Sequence, residues 1–294
     1  MSKQKQVTII LVNWNSYQLT KNCIESIMKS TRYPNLKICV VDNDSIDGSA
    51  EKLAKDFSGI KIIRNRKNMG FAYALNQGYR DAATPLVAHI NSDAELLDGW
   101  LEEAVKVFES EPDIAVAGVR EVSTKDAGDQ KKLEQIRSEP DIEKMTLPVG
   151  WVTSKEVIEK VGYLDAEYFS PAYGEEADWN FRARRLGYRI VRVSKSNVVH
   201  FGSAVIKQAM GGQKYVMLIN FHRLRAMFFN LSIADLLRFV PGLGLIFLNS
   251  IRNGTVFFVL KAYWLNLADW KLILEQRKKR RAFIPFKEPK FTEI

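Results

Sequence analysis

An α/β fold is predicted: a mostly parallel sheet flanked by helices, followed by a helical, basic appendage. Three observations predict it. Short, continuous apolar runs alternate with segments of 3.6-residue periodicity, the mark of strands buried on both faces and joined by helices. Polar clusters recur where those runs end. Charge is segregated: from Lys214 onward there are 14 Lys and Arg against 5 Asp and Glu, whereas residues 1–213 carry 29 of each sign.

In order, the first strand is expected over Val7–Val12, a run of six apolar or β-branched residues. Leu19, Cys23, Ile24, Ile27 and Met28 mark a helix. Leu36–Val41 is the second strand, Ala50–Phe57 a short helix and Ile60–Ile63 the third strand. Phe71–Ala82 is helical, Leu86–Ile90 is the fourth strand, Trp100–Phe108 a helix and Ile114–Val119 another strand. Ser123–Lys144 is charged and unpatterned and predicts a mobile surface loop. Order returns at Leu147-Pro148-Val149-Gly150-Trp151, with a short helix near Ser154–Val161. Extended segments follow at Arg189–Val193 and Asn197–His200. Cys23 and Cys39 are the only cysteines, fall in different elements without a CxxC pattern, and read as buried free thiols.

Four strand ends carry polar residues: Asn13 and Asn15 after the first, Asp42 and Asn43 after the second, Asn68 and Gly70 after the third, Asn91 and Asp93 after the fourth. Each alone is a turn signal. Together at one sheet edge they predict a ligand cleft, because α/β sheets bind ligands beyond their strand carboxyl ends. Asp42 can accept hydrogen bonds from a base or ribose. Asp93 can hold Mg²⁺ or Mn²⁺, which take few protein ligands and bridge phosphate oxygens. His200 is a plausible second ligand, although a lone His is more often structural.

Glu175, Glu176 and Asp178 crowd the start of a helix that ends at Gly187. Carboxylates suit a helix N-terminus for electrostatic reasons alone. Three in four residues exceed that need, and like charges so close raise one another's pKa, as a general base requires.

Taken together, VNWN (12–15), VVDNDSIDGS (40–49), NMGFAYALNQG (68–78), NSD (91–93), VGYLDAEYF (161–169), EEADWNFR (175–182) and HFGS (200–203) resemble the family-2 glycosyltransferases of GT-A fold, within them the rhamnosyltransferase-like branch. The resemblance implies inverting transfer from a nucleoside-diphosphate sugar, such as dTDP-rhamnose or a UDP-sugar, to a glycan or polyprenyl-linked acceptor. It implies that Asn13, Asp42 and Asn68 contact the nucleoside, and that Asp93 matches the last Asp of the D-x-D metal motif. It also makes His200 a metal- or phosphate-side ligand. Glu175-Glu176 matches the family's Glu-Asp pair, whose second carboxylate is the base, and Arg182 is similar to the arginine that follows it. Two positions depart from the pattern. Asn91 replaces the first motif Asp, which weakens metal affinity, and Glu176 replaces the usual Asp, which leaves Asp178 as a rival base.

A nucleotidyltransferase needs a Gly-rich, basic loop after the first strand; Asn13-Trp14-Asn15-Ser16-Tyr17 is neither. A non-catalytic nucleotide-sugar binding protein is the other alternative. Nucleic acid is not an expected partner, since the tail's Phe and Leu exceed what phosphate contact needs.

The division expected is a glycosyltransferase domain over 1–213 and a basic amphipathic helical tail over 214–294. The tail's apolar stretches, Phe239–Ile251, Asn253–Leu260 and Ala262–Ala268, fall short of the roughly 18 residues of a spanning helix. Pro241, Gly242 and Gly244 are expected to break one. Interfacial helices on an anionic membrane surface fit; packing on the core or a homodimer interface are the alternatives. No apolar signal-peptide core follows Met1, so the expected place is cytoplasmic, peripheral on the inner face of the cell membrane.

Overall fold

The computed structural model describes residues 5–143, 149–202 and 211–282. Leu147-Pro148, Ser203 and the end of the basic tail lie outside these residues. The chain begins β1 (Val7–Asn13), α1 (Tyr17–Ser30), β2 (Leu36–Asp42), α2 (Ser49–Asp56), β3 (Lys61–Arg64), α3 (Phe71–Asp81) and β4 (Leu86–Ile90). It continues through β5 (Ala94–Leu96), α4 (Trp100–Phe108), β6 (Ile114–Val122), α5 (Thr124–Ala127), α6 (Gln130–Ser138) and β7 (Ile142–Glu143). Then come β8 (Gly150–Ser154), α7 (Lys155–Val161), α8 (Glu175–Arg185) and β9 (Arg189–His200). Helices α9 (Gly212–Asn230), α10 (Ile233–Arg252), α11 (Val256–Ala268) and α12 (Trp270–Arg281) follow.

The strands form one nine-stranded sheet in the order β3-β2-β1-β4-β8-β6-β9-β5, with β7 added against β9. The predicted parallel half is present: β1 pairs β2 and β4, and β2 pairs β3, all parallel. Beyond β4 the sheet is mixed, because β8 inserts antiparallel to both β4 and β6. β8 is only five residues long, Gly150–Ser154, and its buried pattern carries no alternation to announce a strand. The winding runs outward from β1 through β2 to β3 and returns on the other side at β4. The carboxyl ends of β1 and β4 therefore flank the switch point, where such sheets leave a crevice.

Two apolar layers sandwich the sheet. One includes Ile24, Ile27, Trp100 and Leu101 from α1 and α4. The other includes Leu75 from α3, Ile158 from α7 and Trp179 from α8. Cys23 and Cys39 are buried free thiols.

Ser123–Glu143 is not the loop expected. Side chains of Ser123 and Asp129 cap α5 and α6 by accepting from Asp126 N and Lys132 N. Ile136 is buried against Val122 and Val199. A single apolar anchor per helix gives no periodicity, which is why the segment reads as unpatterned. The two extended segments expected at 189–193 and 197–200 are one strand, β9, whose pairing with β6 shifts register near Gly118/Arg120.

The expected boundary at residue 213 falls in the first turn of α9. Residues beyond it share a core with the body: Ala226 and Phe229 of α9 pack with Phe169, against Ala177 and Phe181 of α8. Arg280 of α12, expected in an exposed basic run, is buried, donates through Nε to Asp178 Oδ1 at 2.9 Å, and pairs with Asp165. Helix α10 also departs from expectation. It runs 20 residues through Pro241, with mean hydropathy 1.4 and 6% of its apolar window buried. Proline removes one donor and strains one turn, and here the helix continues across it. By length and composition alone, α10 could cross a membrane.

Replacing Arg280 tests this integration. Arg280→Met leaves Asp165 and Asp178 without their shared cation, and should lower unfolding free energy by about 3–5 kcal/mol. The check is a lower denaturant midpoint at unchanged slope. A shift within about 0.5 kcal/mol, the usual range for surface substitutions, would mean that α12 is not held in this way.

Candidate active site

The switch point is built from side chains that mostly hold one another. Asn13, at the end of β1, donates to Asp42 Oδ2 at 2.7 Å and to Ser45 Oγ at 3.0 Å, while its oxygen accepts from Ser16 and Thr20. Its amide is therefore fully used within the protein, and what it does here is aim Asp42. Asp42 also accepts Ser45 N at 3.1 Å. Asn15 accepts Ile46 N at 2.8 Å, closing the loop that walls the cleft. Asn43 donates to Asn68 Oδ1 at 2.9 Å and accepts Met69 N at 3.1 Å. It fixes the turn in which Asn68 accepts Gly70 N. Gly70 has φ +85°, and a β-carbon there would lie 3.0 Å from Pro171 O, so the turn needs glycine. Asn13, Asp42 and Asn43 are buried, while Asn68 is exposed.

At the end of β4, His89 sets the orientation of Asn91. His89 Nδ1 lies 3.1 Å from Ile10 O, which can only accept, so Nδ1 carries the proton. Burial lowers the imidazole to about 4, leaving it neutral, and Nε2 must then accept. Nε2 faces the Asn91 amide at 3.0 Å. The structure sets Asn91 Oδ1 toward this nitrogen; because Nε2 can only accept, the network requires the amide turned over, with its NH₂ to the ring and its oxygen away.

Asp93 and His200 meet through strand pairing. β5 pairs antiparallel with β9, with Ala94 opposite His200, and this places His200 Nε2 3.1 Å from Asp93 Oδ1. Burial opposes the imidazolium, but the hydrogen bond and charge of Asp93 outweigh it and raise the His200 pKa. Among the described residues no group of three or more His, Cys, Asp or Glu forms a metal cluster. One carboxylate, one amide oxygen and one imidazole do match the donor chemistry of Mn²⁺ with its remaining positions left to phosphate and water.

Three carboxylates open α8, and the fold gives them three different states. Glu175 is buried without a cation. Burial first, then the neighbouring Glu176, push it well above the ordinary carboxylate range. Asp178 is fully buried, which disfavours its charge, but Arg280 and Arg182 hold it below the usual value. It accepts from Arg182 Nε and Arg280 Nε at 2.9 Å and from Asn230 at 2.8 Å. All its accepting capacity is directed inward. Arg182 donates also to Val161 O and Tyr163 O, so it too faces the core instead of a donor pocket. Glu176 alone is partly exposed. Burial raises it to about 7, against the pull of Arg223 first and His200 second.

Sequence reasoning missed the partners that create these states. Asp165 lies in a segment quoted above but without a role. It accepts Glu167 N and Tyr168 N, and burial and Asp178 raise it to about 6 against the pull of Arg280. Asn76 clasps the same turn through Leu164 N and O. Asn230 and Arg223 come from α9, whose pattern signals neither.

A carboxyl titration checks this charge arrangement. In metal-free protein, ¹³C NMR should show a glutamate midpoint near 7 that disappears in Glu176→Gln. His200→Asn should move it upward by removing a cation. A Glu176 midpoint near the ordinary value of about 4.3 would overturn the arrangement.

The profile of glycosyl transferase family 2 matches residues 8–162, just over half the chain. An uncharacterized glycosyltransferase of Haemophilus influenzae is 31% identical over 115 residues, covering 38% of this chain and 35% of the relative. A glucosyl-dolichyl phosphate glucuronosyltransferase of Haloferax volcanii is 25% identical over 115 residues, covering 38% and 36%. The chain thus spans about a third of the length of these relatives. Among solved structures, a mannosyltransferase from Pyrobaculum calidifontis in complex with GDP-Man and Mn²⁺ superposes with TM-score 0.59 at 17% identity, covering 96% of this chain and 86% of that one. GalNAc-T7 with UDP, GalNAc and Mn²⁺ superposes with TM-score 0.60 at 13% identity, covering 77% and 48%. These likenesses are of fold, and the fold is the GT-A arrangement expected. With more than half of its length matched by that profile, the chain belongs to glycosyl transferase family 2.

Proposed function

We propose that the protein transfers a sugar with inversion from a nucleoside-diphosphate sugar to a hydroxyl of a glycan or lipid-linked acceptor, with Glu176 as the base. The observation that carries this reading is the separation of the α8 carboxylates. Glu176 is the one that is partly exposed and has a pKa of about 7, the value that suits a general base. Asp178 is committed to two arginines and an asparagine, which argues against it as the rival.

The donor nucleoside lies against the β1–β3 loops, where Asp42 accepts from base or ribose. Asp93, His200 and the outward oxygen of Asn91 would hold a divalent cation. When bound, Mn²⁺ or Mg²⁺ neutralises charge on the leaving diphosphate. Glu176 takes the acceptor proton as the acceptor oxygen attacks the anomeric carbon from the face opposite the diphosphate. One displacement inverts the centre and needs one base. The diphosphate is already a good leaving group, so the second carboxylate of a glycosidase is not required. Glu175, buried and with its pKa raised, is the less suited of the two to act as base.

The acceptor side is read from α10–α12. Leu237, Leu245, Phe257 and Trp264 are each more than 60% exposed, and Arg238, Arg252, Lys261 and Lys271 lie among them. A large exposed apolar surface with interleaved cations suits an anionic bilayer, where a lipid-linked acceptor resides.

Two tests follow. Glu176→Gln should bind donor within a few-fold of wild type and lose about 10²–10⁴ in turnover, the range of general-base catalysis. Wild-type kcat should rise with pH through about 7, because the base acts only when deprotonated. In the same assay, Asp93→Ala should remove Mn²⁺-dependent donor binding. Normal turnover in Glu176→Gln would end the assignment. For the surface, the full chain should float with anionic vesicles at low salt, and Phe257→Asp with Trp264→Asp should release it. A wild-type protein that ignores such vesicles and sediments as a dimer would make this face an interface between copies.

A further inference from the structure

The first helix of the C-terminal bundle carries an arginine beside the loop that opens α8. His222 of α9 donates through Nδ1 to Ala172 O at 2.8 Å. Its backbone lies so close to Gly174 that a β-carbon there would sit 2.8 Å from the His222 carbonyl carbon and oxygen. Tyr215, two turns earlier, packs edge-on against Tyr173 with ring centroids 5.5 Å apart. These contacts pin α9 to the loop that opens α8, and Gly174 is the N-cap two residues before Glu176. Arg223 follows His222 directly.

The two nearby arginines of α9 differ. Arg225 is buried, with its guanidinium 4.1 Å from the Phe221 ring centroid and bonded to Asn266 and Asp269. Arg223 is exposed and makes no hydrogen bond or ion pair among the described residues. It acts on Glu176 more strongly than His200 does, yet forms no salt bridge with it. A purely structural arginine on a helix pinned to this loop would be expected to find a partner there. An arginine kept near the base but unpaired is available to a ligand.

We propose that Arg223 binds a phosphate oxyanion of the reacting complex. The proposal rests on the transfer reaction argued above. The base must reach the acceptor oxygen, that oxygen must reach the anomeric carbon, and the carbon is bonded to the leaving phosphate. A cation within electrostatic reach of the base is therefore also close to phosphate. The guanidinium fork matches two phosphate oxygens, a geometry that an ammonium does not reproduce. The oxyanion has two sources: the diphosphate of the donor, and the phosphate of a lipid-linked acceptor. Either role makes the C-terminal bundle a contributor of a ligand-binding residue.

The test uses the full chain with Arg223→Gln and Arg223→Lys, after thermal melts show all three proteins equally folded. Titration calorimetry with uridine and thymidine 5′-diphosphates and 5′-monophosphates reads the donor arm. If Arg223 holds the distal phosphate, Arg223→Gln weakens diphosphate binding about 10–100-fold, as for a hydrogen bond to a charged group. Monophosphate binding stays within about twofold, the level of no resolved difference, and Arg223→Lys restores part of the loss. The acceptor arm compares KM for a prenyl-diphosphate-linked monosaccharide with KM for the same sugar on a neutral alkyl chain. Unchanged diphosphate binding with a raised KM for the charged acceptor alone assigns the residue to the acceptor phosphate. No change in either arm overturns the proposal. A wild-type protein that binds no nucleotide and transfers no sugar overturns the transferase reading itself, which is a different result.

Discussion

One buried ion cluster organises the part of the molecule that carries the α8 carboxylates. Asp165, Asp178, Arg182 and Arg280 converge from the turn after α7, from α8 and from α12, and each is almost wholly excluded from water. Two charges of each sign meet there, so the cluster is neutral when all are ionised. Such clusters contribute little net stability compared with an apolar core, since desolvation offsets most of the attraction. What they do impose is geometry, because removing any member strands a buried charge. Here the geometry fixed is that of the helix carrying Glu176. Asn230 from α9 and the Arg185 bonds to Arg280 O and Asn230 O extend the same clasp across the bundle.

That cluster also explains how neighbouring carboxylates acquire different chemistry. Glu175, Glu176 and Asp178 share one helical turn and one N-terminal dipole, so the dipole cannot separate them. Their partners do. Asp178 meets arginines that lower its pKa, Glu175 meets none and its pKa is raised, and Glu176 is balanced between burial and two more distant cations. A charged, fully bonded Asp178 is a poor proton acceptor despite its position. The α9–α12 bundle supplies Arg223, Arg280 and Asn230, so it takes part in setting the protonation of the site as well as covering it.

Much of this was legible in the sequence. The run Val7–Val12 announced a doubly buried strand, and polar residues at four strand ends marked the crevice. The family resemblance assigns Asp93 and His200 to one metal side, and the structure brings them within hydrogen-bond distance of each other. The remainder was illegible for physical reasons. Asn13 and Asn43 look like ligand contacts because a strand-end amide carries no sign of which way it donates; both turn inward. Arg280 sits in Arg277–Arg281, five like residues of which the pattern cannot tell the inward one. Helix α10 was expected to break at Pro241, but a local rule cannot predict how many turns continue beyond a single lost bond. The α5–α6 segment carries too few apolar anchors to show a period.

The replacement of an Asp by Asn91 gains meaning from His89. A second carboxylate at that position would face the unprotonated Nε2 of a neutral imidazole across 3.0 Å, and one of the two would have to take up a proton. An amide turned with its NH₂ toward His89 satisfies the ring as a donor and leaves its oxygen facing away from it. The cost is one negative charge less to attract a divalent ion. In the proposed reaction the leaving diphosphate then depends less on the metal side alone for neutralisation. The guanidinium proposed above to bind phosphate complements such a site, and this ties the substitution in the motif to the arginine delivered by the C-terminal bundle.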